Sequence, residues 1–230
     1  PKANDADMKV WGWEFEIGWK DKIKDLSYQV SFNLSDSQNE VTRFQGQNII
    51  GEGTVGTLEG YPMNTIWGYK TDGYWKSRQE YLDYKAANPG YQSFQDGVVN
   101  AGDIKYVAQG KADHAIKGGA TPENPGDLVC FGDANGRYLY GFNIGMQWRG
   151  FDFSMQFQGV GKRTVMMATK TIAPLAESST MPWTIHRNYA IVKDGELVNP
   201  DASWPRLYNY NNGAEFFNYK ASDRWVQDGS

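Results

Sequence analysis

The feature that most constrains this chain is a strict alternation. From Lys9 to Lys20 one side reads Trp11, Trp13, Phe15, Ile17, Trp19, and the other reads Gly12, Glu14, Glu16, Gly18, Lys20. Period two is the spacing of a β-strand, whose successive side chains point to opposite faces. On a helix the same residues would scatter around the circumference, so this segment is committed to a sheet with one apolar face. Three more segments repeat the pattern. Leu26, Tyr28, Val30, Phe32 and Leu34 alternate with Ser27, Gln29, Ser31, Asn33 and Ser35. Tyr138, Tyr140, Phe142, Ile144, Met146 and Trp148 alternate with smaller or polar residues, as do Phe151, Phe153, Met155 and Phe157. A short polar break, Asp21 to Asp25, joins the first pair, and Arg149-Gly150 joins the second. Short connections of this kind make antiparallel hairpins. The expected strands are therefore about 9–20, 26–36, 137–148 and 151–163, in an all-β fold.

Alternation does not say what the apolar face meets. A soluble β-sandwich would turn it onto a second sheet, and a transmembrane barrel would turn it onto lipid with the polar face toward a lumen. Two features favour the barrel. Strands of about 9–12 residues, tilted, reach across a bilayer, whereas sandwich strands are nearer five or six. Trp11, Trp19, Tyr138 and Trp148 also stand near strand ends, where an interfacial aromatic girdle would lie. The composition fits a β protein of either kind, with 9 Trp, 14 Tyr, 11 Phe and 26 Gly among 230 residues. A mean hydropathy of −0.64 does not separate the two, because alternating strands average out to polar. No run approaches the roughly 18 apolar residues of a spanning helix. A net charge of −4 and a pI near 5.3 argue against a nucleic-acid partner, which calls for a basic surface. The opening Pro1, the lack of a leader-like apolar stretch and the ending Asp228-Gly229-Ser230 suggest an internal piece of something larger.

In a barrel the short turns face the periplasm and the long connections face outward. The stretches of about 37–136 and 164–222 are then extracellular loops. Four strands cannot close a barrel, which needs about eight at least, so they form an arc. In the first loop Ser77 and Glu80 have capping-box spacing before a short helix to Ala87, stopped by Asn88-Pro89-Gly90. The aromatic run Trp67, Tyr69, Tyr74, Trp75 is the candidate ligand-binding set. Such rings stack on sugars while Asn, Asp and Arg read hydroxyls, and they equally serve as the loop's own core or as cover for a partner. The second loop carries Trp183, His186, Trp204-Pro205-Arg206 and Asn209 to Asn212.

Catalytic constellations are weak. Glu14 and Glu16 have the separation of a glycosidase pair, yet two charges on a wet polar face explain them better. His186 with Asp194 or Asp201 lacks a nucleophile elbow around Ser178, Ser179 or Ser203. Cys130, the single cysteine, lies among Leu128, Val129 and Phe131 like a buried apolar thiol. Gly159-Val160-Gly161 opens no helix and is not a dinucleotide motif. The expectation is a protein that is not an enzyme and carries no cofactor.

Several motifs resemble one family. Gly12-Trp13-Glu14-Phe15-Glu16, the strand through Ser31-Phe32-Asn33-Leu34-Ser35, Glu59-Gly60-Tyr61-Pro62, Gly68 to Gly73 and Gly102-Asp103-Ile104-Lys105-Tyr106 fall in order. So do Tyr140 to Asn143, Gly150 to Ser154, Phe157 to Arg163 and the tail Ser222 to Ser230. Together they resemble the SusC/RagA-type TonB-dependent transporters. The resemblance implies a piece from the C-terminal half of a large antiparallel transmembrane β-barrel, without its plug domain. It further implies an outer membrane of a Gram-negative, Bacteroidetes-like cell and a SusD-like lipoprotein partner. Energy would come from the TonB system acting through the plug, and the substrate would be an oligosaccharide or a peptide. Where the family often has an acidic calcium-like loop, this chain has Ala108 to Asp113 with one carboxylate, so no metal is carried over. Asp133-Ala134-Asn135-Gly136 reads as a plain turn.

Overall fold

A computed structural model describes residues 5–94, 96–167, 171, 173, 181–207 and 216–230. Ser178, Ser179 and Asn209 to Asn212 lie outside the described residues. The alternating segments form strands β1 (Ala6–Ile23), β2 (Leu26–Phe44), β3 (Arg137–Trp148) and β4 (Phe151–Lys162) of one antiparallel sheet, ordered β1-β2-β3-β4. The first hairpin runs longer than the period-two pattern alone indicates, because Met8↔Val41 and Asp7↔Arg43 continue the ladder through a bulge. Its turn is also tighter, only Lys24-Asp25, with Lys24 at φ 54°. The second turn, Arg149-Gly150, has φ of 47° and 86°, the doubly positive pair that matches strand twist. Arg149 Nε reaches Asp25 at 3.0 Å, so the neighbouring turns are tied to each other.

Between β2 and β3 about a hundred residues leave the sheet and return. They do not remain irregular. Strand Thr65–Tyr69 pairs with Gly53–Val55 on one side and Leu128–Asp133 on the other, and Thr71–Tyr74 pairs with Ile104–Tyr106. Helix α1 spans Arg78–Ala87. Ser77 Oγ accepts the Glu80 N–H at 3.1 Å, while the Glu80 carboxylate reaches one residue further back, to Lys76 N–H, rather than to Ser77. The two excursions share one core. Trp75 packs edge-on against Tyr81, Tyr84 and Tyr91, with centroids 5.0, 5.4 and 6.5 Å away, and Trp204 of the second excursion stacks on Trp225 at 5.3 Å. Burying such rings removes on the order of 150–250 Å² each from water, which is what pulls long connections into a body.

The second excursion returns beside β4. Val226–Asp228 pairs antiparallel with Thr164–Met166, the stretch that continues β4 beyond Arg163, and Gly229 N–H donates to Arg163 C=O at 2.8 Å.

Candidate functional site

The candidate functional element is the sheet, because its register sorts the alternating residues onto two faces. Cross-strand partners share a face. The apolar face is built of rows four strands wide: Phe15–Leu34–Tyr140–Gly159, Ile17–Phe32–Phe142–Phe157, Trp19–Val30–Ile144–Met155, and lastly Ile23–Leu26–Trp148–Phe151. One row, Asp21–Tyr28–Met146–Phe153, carries a charge at the sheet edge. The opposite face reads Glu16–Asn33–Gly141–Gln158, Gly18–Ser31–Asn143–Gln156, Lys20–Gln29–Gly145–Ser154 and Lys22–Ser27–Gln147–Asp152. Asn143 Nδ2 donates to Ser31 Oγ at 3.2 Å within its row. Gly145 is where a side chain has been given up for a neighbour: a Cβ there would lie 2.9 Å from Gln29 Nε2.

Both faces are bare. Trp13 is 49% exposed, Trp19 65%, Phe151 74% and Phe157 52%, and every residue of β1 is exposed on either side. Trp11, Trp13, Tyr140, Trp19 and Trp148 mark the two ends of the apolar face, with aliphatic and Phe residues between them. Tyr138 departs from the expected alternation. It sits at φ 54° and is skipped by both ladders, a bulge that lets Arg137 turn back onto the buried Asp36 carboxylate with two N–H donors. Glu14 and Glu16 stand on the polar face beside Ser35 and Asn33.

The aromatic set expected to bind ligand lies elsewhere. Trp67, Tyr69, Tyr74 and Trp75 are 3%, 2%, 7% and 0% exposed, all inside the shared core of the loop body. Trp67 Nε1 donates to Thr65 Oγ1, Tyr69 OH to Glu52, and Tyr74 OH accepts from Arg224. Burial pushes the Tyr69 and Tyr74 phenols well above the usual range. These rings hold the body together, and as folded they offer no open platform.

His186 is likewise buried. Its Nδ1 accepts the Trp183 N–H at 2.8 Å while Nε2 meets Thr171 C=O at 2.7 Å, so both nitrogens serve local structure. Cys130 is half-buried with Sγ 3.6 Å from Gly132 C=O. Asp133 Oδ1 accepts the Asn135 N–H at 3.0 Å, which is an Asx turn. Among the described residues no group of three or more His, Cys, Asp or Glu could hold a metal ion.

Two polar centres of the body escape the sequence reading. Asp103, fully buried, accepts Arg206 Nε at 2.6 Å, Arg206 Nη2 at 2.8 Å, Asn218 Nδ2 at 2.9 Å and Asn100 N–H at 2.7 Å. Burial pushes its carboxyl up to about 6, against the pull of Arg206. Asp127, also buried, accepts the Gln109 and Lys117 N–H groups and meets His114 Nε2 at 3.0 Å. Asp127 and Asp113 raise the His114 pKa above its usual value. The residues were visible in the sequence, but their partners are brought together only by the fold.

Comparison with known protein families finds no match, nor does comparison with curated proteins. Solved structures do match. Over 97% of this chain it is similar to a chain of "the RagAB peptide importer in the 'open-open' state", at a TM-score of 0.58 and 14% identity. A second, of "the RagAB peptide transporter", matches 98% of this chain at 0.56 and 15%. The chain spans about a fifth of the length of those chains, 21% and 22%. The class the fold defines is thus an open arc of an antiparallel β-barrel, two long hairpins with long connections. At this identity the likeness establishes the fold.

Proposed function

We propose that this chain is a wall segment of a SusC/RagA-type, TonB-dependent importer of the Gram-negative outer membrane. The reading rests on one observation, the sheet whose apolar face is uncovered across four strands while the opposite face is polar and equally open. Exposed Trp and Phe in such numbers are costly in water and suit a hydrocarbon solvent. From Trp11 to Ile23 the strand rises roughly 40 Å, which at a tilt of about 40° covers a bilayer core. The polar rows then line the lumen, the two short turns face the periplasm, and the loop body caps the outer mouth.

The matched structures are named for peptide import, and their paired name supports a companion protein. The imported solute is accordingly a peptide or an oligosaccharide, taken up with a SusD-like surface lipoprotein. TonB supplies energy through a plug belonging to the same barrel, and the wall itself performs no catalysis.

Membrane dependence tests this. The full-length chain should form a detergent-stable barrel whose migration changes on heating, and residues 1–230 alone should not be a cooperative monomer without detergent. A soluble monomer whose tryptophans are shielded from an aqueous quencher would sink the reading and favour a β-sandwich carbohydrate-binding module.

A further inference from the structure

At the loop end of the wall the apolar face stops at Trp11, and a cleft of about 350 Å³ opens beside it, lined among others by Gln38, Glu40, Pro62, Asp133 and Asn135. One wall is fixed in advance. Asn39 Oδ1 accepts the Met63 N–H at 2.8 Å, Asn135 Nδ2 donates to Met63 C=O at 2.9 Å, and Ala134 N–H donates to Asn64 C=O at 3.0 Å. These bonds clamp the Gly60–Met63 segment to the end of β2. On Asn135 they use one side-chain atom of the carboxamide and leave the other, Oδ1, for a ligand, while Asn39, opposite Val10 in the ladder, braces the segment from the polar face.

The charges decide what kind of ligand. Arg137, the cation lining the cleft, is held by both oxygens of Asp36. Lys9 lies 5.4 Å over the Trp11 ring and directly across the ladder from Glu40. Asp36, Glu40 and Asp133 thus outnumber the two cations, and Arg137 is already held in an ion pair. A phosphate or sulfate would meet more carboxylates than cations, with the Arg137 guanidinium already engaged. A neutral polyol meets what it needs: an aromatic ring and Pro62 for C–H surface, with carboxylates and carboxamides for hydroxyls.

The geometry points to a saccharide-binding cleft on the lipid-facing side of the wall, at the level of the outer headgroups, that takes a neutral sugar. It rests on the barrel reading for which face meets lipid, and it lies apart from the lumen through which a solute would pass. The sugar reaches it either as the headgroup of an outer-leaflet glycolipid or as free oligosaccharide.

The test uses the full-length transporter in phosphatidylcholine nanodiscs, with digalactosyl diacylglycerol, free digalactose and phosphatidylglycerol as probes. Retention of each lipid is read by native mass spectrometry, and barrel integrity by heat-modifiable migration. Saturable retention of the digalactosyl lipid is expected, falling at least tenfold in both Trp11→Ala and Asp133→Asn with migration unchanged. Phosphatidylglycerol should be retained no better than phosphatidylcholine. Competition by free digalactose at similar concentration would identify a soluble source, and its absence a membrane glycolipid; either agrees with a neutral-sugar cleft. Retention that ignores the sugar, survives both variants, or favours phosphatidylglycerol overturns it. A full-length chain that forms no barrel overturns the transporter reading first and this placement with it, so the two failures are told apart.

Discussion

Single residues of the loop body carry charge where water does not reach, and that sets their pH behaviour. Asp103 is balanced by Arg206, Asn218 and the Asn100 N–H. Removing one partner of a buried pair leaves an uncompensated charge, typically a loss of about 3–5 kcal/mol. Arg206→Ala should cost the body that much at pH 7.5, read as earlier chaotrope unfolding or faster proteolysis of the body in the intact barrel. The defect should shrink at pH 5, because Asp103, whose folded pKa is already about 6 against an ordinary 3.8, then accepts a proton and needs no counter-ion. A defect of the same size at both pH values would mean that Arg206 acts by packing alone. His114 has the opposite sign. Its folded pKa is raised above 6.5 by Asp127 and Asp113, so its contribution is fully present below pH 6.5 and is lost as pH rises through the folded value. Comparing His114→Gln with the parent should show a stability gap at pH 6 that closes toward alkaline pH. The His114 side chain is about a third exposed, so screening keeps that gap small.

At the scale of elements, two-faced strands make substitution effects depend on parity. Phe32 and Ser31 are neighbours in sequence but stand on opposite faces of β2, each in a complete four-strand row. Phe32→Arg should cost about 2–4 kcal/mol in a bilayer, since mid-depth lipid-facing cations do, while Ser31→Arg should cost little because it enters the polar side. Urea unfolding of the full-length barrel in liposomes measures both, and equal costs would remove the assignment of faces. The same parity explains what the sequence made legible. Alternation is local, so the strands, their faces and their two hairpins could be read directly, as could the Ser77 cap of α1. The pairing of Leu34 with Tyr140 joins strands separated by a hundred residues, and no local spacing encodes it. The Tyr138 bulge depends on where Arg137 finds Asp36, and the spacing of the candidate rings Trp67, Tyr69, Tyr74 and Trp75 does not by itself distinguish a ligand platform from the loop's own core. They are buried in one cluster with Tyr81, Tyr91 and Tyr106, which Trp204, Phe217 and Trp225 join from the far end of the chain.

Across the whole molecule the nine tryptophans fall into distinct populations, and this gives the barrel reading its sharpest consequence. Trp11, Trp13, Trp19 and Trp148 stand on the apolar face of the wall, between 42% and 65% exposed. Trp67, Trp75, Trp204 and Trp225 are closed inside the body at 7% exposure or less, and Trp183 is exposed on the second excursion. In an inserted barrel the first group contacts lipid, the second contacts protein, and Trp183 contacts water. Bromine atoms on lipid acyl chains quench only indoles they touch, so a fraction of the fluorescence of the full-length barrel should be lost in brominated bilayers. Replacing Trp19 or Trp148 by Phe should reduce the intensity lost to bromine, whereas Trp183→Phe should reduce the intensity lost to aqueous iodide and leave the loss to bromine unchanged. Replacing Trp75 or Trp225 should leave the intensity lost to either quencher unchanged, since their rings are buried among neighbouring side chains. Bromine-insensitive Trp19 and Trp148 in a barrel that is otherwise folded would place the apolar face against protein instead of lipid. The wall would then have to be turned inside out or covered, and the lumen assignment of Asn33, Asn143 and Gln156 would fall with it.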